Sequence, residues 1–200
     1  KRDLIPQRGE PMTKLINALD LYGYDQPFST YLKDELRPRK KVEQGKTRLI
    51  ECSSLNDTIR MKRVFGKLFQ TFHANPGCVT GSAVGCNPDF HWSQFAAEIG
   101  LENICAFDYT NWDASLSPFW FDALKIFLIK LGYSDEAVDC IDHICYSSHI
   151  FKDQYYVVHG GMPSGCSGTS IFNSIINNLV VRTLVLQCYK GINPDMLKIS

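Results

Sequence analysis

Apolar positions recur at helical spacing over residues 12–22, where Met12, Leu15, Ile16 and Leu19 share one side and Pro27 closes the stretch. A basic, Pro-broken segment from Lys33 to Arg48 follows, and Arg48-Leu49-Ile50-Glu51 reads as a short strand. From Ser54 to Phe72 the pattern is helical again, with Asn56 or Ser54 as cap and Ile59, Val64, Phe65, Leu68 and Phe72 on the apolar side. Gly77, Gly81, Gly85 and Pro88 mark loop, and Trp92, Phe95 and Ile99 suggest another helix. The run Ile104-Cys105-Ala106-Phe107, ending at Asp108, predicts a strand buried on both faces. Pro118 to Leu131 predicts an apolar helix stopped by Gly132, and Ser134 to Ser148 a second one with acids in its first turn. Tyr155 to Val158 reads as a strand, Gly160 to Gly168 as a Gly-rich loop, and Thr169 to Tyr189 as a long helix. Strands and helices mix without regular βαβ alternation, so the expected class is α+β.

Composition narrows the class of molecule. In 200 residues, 44% hydrophobic and 21% charged residues fit a folded domain, or a large piece of a longer one, and exclude disorder, collagen and coiled coil. No apolar run is expected to approach the ~20 residues that cross a bilayer, and no export signal is apparent, so secretion and membrane spanning are poor readings. The eight cysteines include no Cys-x-x-Cys and read as reduced, mostly buried thiols. Net charge is zero, but residues 1–70 carry fifteen Lys and Arg against nine Asp and Glu, whereas residues 101–150 carry two against eight. One segment suits polyanions and the other metal cations, the pairing that enzymes acting on phosphates need.

Three constellations could carry chemistry. In Asp108-Tyr109-Thr110-Asn111-Trp112-Asp113, an acid at a strand end presents a poorly solvated carboxylate that a hard divalent cation would compensate; the alternative is a capped helix start before Pro118. The loop Gly160-Gly161-Met162-Pro163-Ser164-Gly165-Cys166-Ser167-Gly168 runs into a helix whose Thr169, Asn173 and Asn177 form an uncharged polar stripe. Such a stripe can read a sugar hydroxyl or a base edge, or can simply face solvent. Lys33, Arg37, Arg39, Lys40, Lys41, Lys46 and Arg48, followed by Arg60, Lys62, Arg63 and Lys67, form an electrostatic footprint for nucleic acid or triphosphate, or else a solvated face.

Other motifs mislead. Gly45-Lys46-Thr47 lacks the earlier glycine and leading strand of a P-loop, and neither Ser164 nor Ser167 sits in a Gly-x-Ser-x-Gly elbow. Cys140, His143, Cys145 and His149 imitate a zinc set, but at ~100° per residue they fall on two sides of one helix.

The order of these motifs is informative. Lys-Asp-Glu-Leu-Arg at 33–37, Gly-Lys-Thr-Arg-Leu-Ile-Glu at 45–51, Asp-Tyr-x-x-x-Asp at 108–113, and Gly-Gly-Met-Pro-Ser-Gly-Cys-Ser-Gly-Thr at 160–169 before an Asn-bearing helix resemble the RNA-dependent RNA polymerases of picornaviruses. The likeness is greatest to the enterovirus and rhinovirus type and runs from about Leu32 to Lys198. It implies a right-hand polymerase fold with partial fingers plus palm, truncated before the Gly-Asp-Asp hairpin and the thumb. Residues 1–70 would be part of the fingers, 71–145 palm, 146–161 a fingers insertion, and 162–200 palm again. Asp195, which follows Pro194, is not expected to replace the missing hairpin acid.

The resemblance implies RNA-templated nucleotidyl transfer by two metal ions in replication of a positive-strand RNA virus. Asp108 would be catalytic and a ligand of magnesium, with manganese as a substitute. Asp113 and Asn173, with Thr169 and Ser164, would recognise the ribose 2′-hydroxyl. Lys33, Arg37, Lys41 and Arg48 would guide the triphosphate, and Gly161, Ser164 and Gly165 would lie in a loop that moves as the template translocates. The implied partners are RNA template and primer, nucleoside triphosphates, a small viral protein primer and other viral replication proteins, at membrane-bound complexes in the host cytoplasm. This stretch alone is expected to be inactive. Trp112 and Asn87 depart from residues commoner in the family. A non-catalytic RNA-binding module is the alternative reading, and Asp113 with Asn173 argues against a reverse transcriptase.

Overall fold

The computed structural model of the chain describes residues 23–100, 102, 104–193 and 196–199, together with Asn17 and Leu21. Met12, Leu15, Ile16 and Leu19 of the first expected helix lie outside the described residues, as does Asp195.

Helices whose apolar faces the sequence pattern marks build the core. Helix α2 (Leu55–Ala74) follows α1 (Arg39–Glu43), which the basic segment conceals. Of the two candidate caps for α2 it is Ser54 that serves, accepting from the Asp57 N–H at 3.0 Å and so satisfying one of the free donors of the first turn. Its Met61, Phe65, Leu68 and Phe72 are buried, following the 3.6-residue period. Helix α3 (Pro88–Ile99) starts with Asn87 as cap, and the single turn α4 (Trp112–Ser115) precedes α5 (Pro118–Lys130) and α6 (Asp135–Cys145). Helix α7 (Thr169–Cys188) contributes Phe172, whose ring meets Phe65 edge-on at 5.1 Å and Phe69 at 5.8 Å. Phe121, Leu124 and Leu128 of α5, Ile141 and Ile144 of α6, and Ile176 of α7 complete this cluster.

Four strands form one mixed sheet in the order β2-β1-β3-β4: β1 (Phe28–Leu32), β2 (Leu49–Cys52), β3 (Tyr146–Phe151) and β4 (Gln154–His159). β1 pairs antiparallel with β2, from Ser29↔Cys52 to Leu32↔Leu49, and parallel with β3 at Phe28↔His149. β3 and β4 make a hairpin from Tyr146↔His159 to Phe151↔Gln154. Phe28 is buried with its ring stacked between His143 at 5.3 Å and His149 at 5.5 Å, which fastens the sheet to the end of α6.

Four expectations are corrected. Helix α6 ends at Cys145 rather than Ser148, because Ser147 and His149 alternate inward with period 2 and the Cys145 carbonyl accepts from Gly160 N–H at 2.7 Å. The apolar run Ile104 to Phe107 is not a buried strand. It makes no ladder with any described strand, and Ile104 and Phe107 are 53% and 71% exposed, since burial on both faces requires neighbours that no described residue supplies. The eight cysteines are free, but only Cys140, Cys145 and Cys166 are buried; Cys52, Cys105 and Cys188 fall on outward positions. Desolvation pushes the Cys140 thiol up to about 12 and the Cys166 thiol up to about 11, so these two are inert. Lastly, α7 is by length and composition long and apolar enough to cross a membrane. Its first half buries Ile171, Phe172, Ile175 and Ile176 in the protein core and has Asn173, Asn177 and Asn178 hydrogen-bonded to neighbouring segments, whereas Leu184 and Leu186 in its second half are exposed.

Candidate active site

The loop before α7 is shaped by close backbone approach. At Gly160, with φ of +81°, a Cβ would lie 2.6 Å from the Leu116 carbonyl oxygen, so only glycine lets this loop lie against the start of α5. Gly161 N–H then donates to Leu116 O at 2.7 Å and Met162 N–H to Asp113 O at 2.9 Å. The turn carrying Asp113 is set by Asn111, whose left-handed backbone (φ 54°) opens α4.

Those two local choices bring Asp113 against α7. Asn173 Nδ2 donates to Asp113 Oδ1 at 2.8 Å, joining two residues sixty positions apart. Both side chains are half-buried, and Asn173 Oδ1 has no hydrogen-bond partner among the described residues. One turn further along the stripe, Asn177 Oδ1 accepts from Tyr109 Oη at 2.8 Å, and the Tyr109 ring lies 4.4 Å from that of Trp112. Tyr109 thereby anchors the segment bearing Asp108 to α7. Asp108 itself is exposed, and its carboxylate makes no hydrogen bond or ion pair with another described residue.

Thr169 and Ser164 are placed otherwise. Thr169 Oγ1 donates to the carbonyls of Pro163 at 2.8 Å and Cys166 at 2.9 Å, stitching the loop to α7. Ser164 N–H donates to Glu51 Oε2 at 2.9 Å on β2. Neither hydroxyl bonds directly to Asp113 or Asn173.

The basic residues are gathered by an acid. Glu35 takes Lys33 Nζ at 3.4 Å, Arg37 Nε at 3.3 Å, and both Nε and Nη2 of Arg48, the first at 2.7 Å. Lys41 stands exposed on α1, outside this cluster. Hydrogen bonding from Arg48, with its charge and that of Lys33, holds the Glu35 carboxyl down at about 2. Because the folded value lies below the ordinary 4.5, the stability this carboxylate contributes is whole above pH 4.5 and is lost as pH falls through about 2. An NMR titration of the Glu35 side-chain carboxyl in the folded chain should therefore show a midpoint near 2; a midpoint near 4.5 would mean that the arginine cluster is not assembled.

One trio of described residues has ligand atoms close enough to share a cation: Asp25, Asp57 and His143, all within 4.8 Å of one another. Asp57 already accepts from Asp25 N–H at 2.7 Å, Gln26 N–H at 3.1 Å and Ser54 Oγ at 2.6 Å, while Arg60 Nη1 sits 2.9 Å from Asp25 Oδ1. A guanidinium thus already supplies positive charge there, and the trio ties the approach to β1 onto α2 and α6. The zinc-like set of the sequence is dispersed, with His149 on β3.

A family model described as viral RNA-dependent RNA polymerase matches residues 7–200. The chain belongs to that family. A solved structure titled Sicinivirus 3Dpol RNA dependent RNA polymerase is 33% identical, with a TM-score of 0.80 over 96% of this chain and 43% of its own. The chain thus spans less than half the length of that polymerase and carries the fold of its matching part, as the partial right-hand fold expected from the motifs requires.

Three residues of this polymerase segment escaped sequence reading: Glu35, Glu51 and Tyr109. Glu35 had a signal, being an acid set amid seven basic residues, where it can only be a hub or a repulsion relieved elsewhere. Glu51 and Tyr109 stand inside the motifs at 45–51 and 108–113, but nothing local indicates their partners, which lie 113 and 68 positions away.

Proposed function

We propose that this chain is the substrate-selecting part of a polymerase that copies RNA from an RNA template, joining nucleoside triphosphates to a primer 3′-hydroxyl. The observation that carries the reading is the Asn173 to Asp113 hydrogen bond at 2.8 Å, beside an Asn173 oxygen left without a partner. An amide and a carboxylate in contact offer acceptors to a ribose hydroxyl, and a deoxyribose would leave them unpaired. Residues 1–70 and 146–161 act as fingers and 71–145 and 162–200 as palm; the single sheet that joins β1 and β2 to β3 and β4 supports that grouping.

The exposed carboxylate of Asp108 offers only hard oxygen donors, which suits magnesium, or manganese in its place, and Asp108 would be one ligand of such an ion. When bound, the ion supplies Lewis-acid stabilisation of the attacking oxygen and of the phosphoryl group. Lys33, Arg37 and Arg48, held in one group by Glu35, supply cationic donors to the triphosphate, and Lys41 adds charge at the rim. Asp113 and Asn173 orient the ribose, and the loop at Gly161, Ser164 and Gly165 carries the template-side motion. The partners that follow are template and primer RNA, with a small viral protein primer and other replication proteins on host cytoplasmic membranes.

The test is ribose selection by the full-length polymerase. Asn173→Ala should lower the ratio of kcat/KM for a ribonucleotide to that for its deoxy analogue by about 10–100-fold, the worth of one or two hydrogen bonds left unmade. An unchanged ratio would remove the role assigned to the pair.

A further inference from the structure

The loop 160–168 is fixed at its two ends by bonds within its own neighbourhood, Met162 N–H to Asp113 O at one and Thr169 Oγ1 to Pro163 O at the other. Its middle is attached to a different element. Ser164 N–H donates to Glu51 Oε2 at 2.9 Å, and Glu51 N–H donates back to Ser164 Oγ at 3.3 Å. Gly165 continues the contact as an isolated parallel bridge with Cys52, lying so close to the Glu51 carbonyl oxygen that any Cβ at 165 would overlap it. Ser164 is exposed, so no burial of its side chain holds the loop there. Met162 and Cys166 pack the loop into the core on either side, so what the polar bonds fix is its tip on β2, and the one made to a carboxylate is the stronger.

The strand that receives the loop also follows directly on Arg48, which Glu35 binds in the cationic cluster. On the loop side, Ser164 lies two residues beyond Met162, whose N–H holds the turn of Asp113. Glu51 therefore stands where the ribose-reading pair and the phosphate-binding cluster are joined. We propose that Glu51 is a positioning residue: its carboxylate, through the Ser164 amide, sets the Asp113–Asn173 pair at a fixed offset from the Arg48 cluster. This rests on the polymerase reading above.

The geometry states what each variant does. Glu51→Ala removes the acceptor and frees the loop tip. Glu51→Gln keeps an oxygen that can accept from Ser164 N–H and regains most of what Glu51→Ala loses. Gly165→Ala leaves the carboxylate intact but drives the loop off β2 by overlap with the Glu51 carbonyl, and should resemble Glu51→Ala.

The experiment uses the full-length polymerase with two readouts, hydrogen exchange of peptides spanning 160–168 and single-nucleotide incorporation with ribo and deoxy substrates. Glu51→Ala should exchange at least about fivefold faster at Ser164 and Gly165, lose about tenfold in kcat/KM for ribonucleotides, and discriminate at least about threefold less well against deoxynucleotides. Wild-type exchange and discrimination in Glu51→Ala would overturn the proposal, as would failure of Glu51→Gln to recover. Faster exchange spread over the Phe65 and Phe172 core would make Glu51 a stabilising residue and would equally overturn it. Should the wild type extend no primer at all, the polymerase reading falls, while the exchange arm still decides whether Glu51 holds the loop.

Discussion

Asp108→Ala in the full-length polymerase is expected to reduce primer extension by at least about a thousandfold while RNA affinity stays within about threefold. Asp108 is exposed and unpaired among the described residues, so its removal leaves no partner stranded and opens no cavity. The effect should therefore fall on the chemical step. Loss of a ligand to a catalytic cation withdraws several kcal/mol of transition-state stabilisation, and each ~1.4 kcal/mol is a factor of ten. RNA affinity is expected to hold because the basic residues around Glu35, for which we propose a role at the triphosphate, keep their attraction for polyanions when Asp108 is changed. Primer extension with the ribonucleotide in excess, beside a filter-binding titration of the same RNA, separates the two. Equal extension by mutant and wild type would overturn the metal role proposed for Asp108. Equal RNA binding with no extension by either protein would favour the alternative of an RNA-binding module that performs no chemistry.

Phe172→Ala should cost about 3–5 kcal/mol of folding free energy, the usual range for deleting a fully buried aromatic ring and leaving its cavity. Phe172 is wholly buried, and it touches Phe65 and Phe69 edge-on, a geometry that adds about 0.5–1.5 kcal/mol per pair to its area term. The ring also lies against Gly168, where a Cβ would overlap it, so the start of α7 has closed tightly around it and has little room to relax. Because Asn173 is the next residue, loosening here should also blur ribose selection. Denaturant unfolding of the full-length protein checks the first effect through a lowered midpoint; a shift worth less than about 1 kcal/mol would show that the helices repack into the space.

What could be read ahead of the structure divides along a physical line. Helices α2, α5 and α7 were legible because an amphipathic or Pro-opened, Gly-closed segment carries its own pattern: Phe65, Leu68 and Phe72 are spaced to face one core whatever lies opposite. Strand β1 was not, since Phe28-Ser29-Thr30-Tyr31-Leu32 becomes a strand by pairing with β2 and β3, and period-2 alternation over five residues is easily lost beside a basic segment. The run Ile104 to Phe107 fails in the opposite direction, for its strand-like composition meets no partner among the described residues. Within the site, Asp113 and Asn173 were named from motif order and are in contact. Ser164 and Thr169 were named with them, but the bonds they make go to Glu51 and to loop carbonyls, because short hydroxyl side chains bond whatever backbone or carboxylate is within reach.

The parallel pairing of β1 with β3 bears on the order in which the chain assembles as it is made. Phe28 must wait for His149, 121 residues later, and at ~5–20 residues per second that is roughly 6–24 s of synthesis during which the β1–β2 hairpin has an open edge. Closing so long a loop is entropically slow, so α2 would collapse with α5 and α6 first and leave the sheet to complete around them. In a nascent chain that edge is available to other emerging copies, and crowding many ribosomes on one message would favour wrong pairings there. The charges of half-buried Lys33 and Arg37 and of exposed Arg48, which follow or face the unpaired strand, would repel an identical hairpin during that interval.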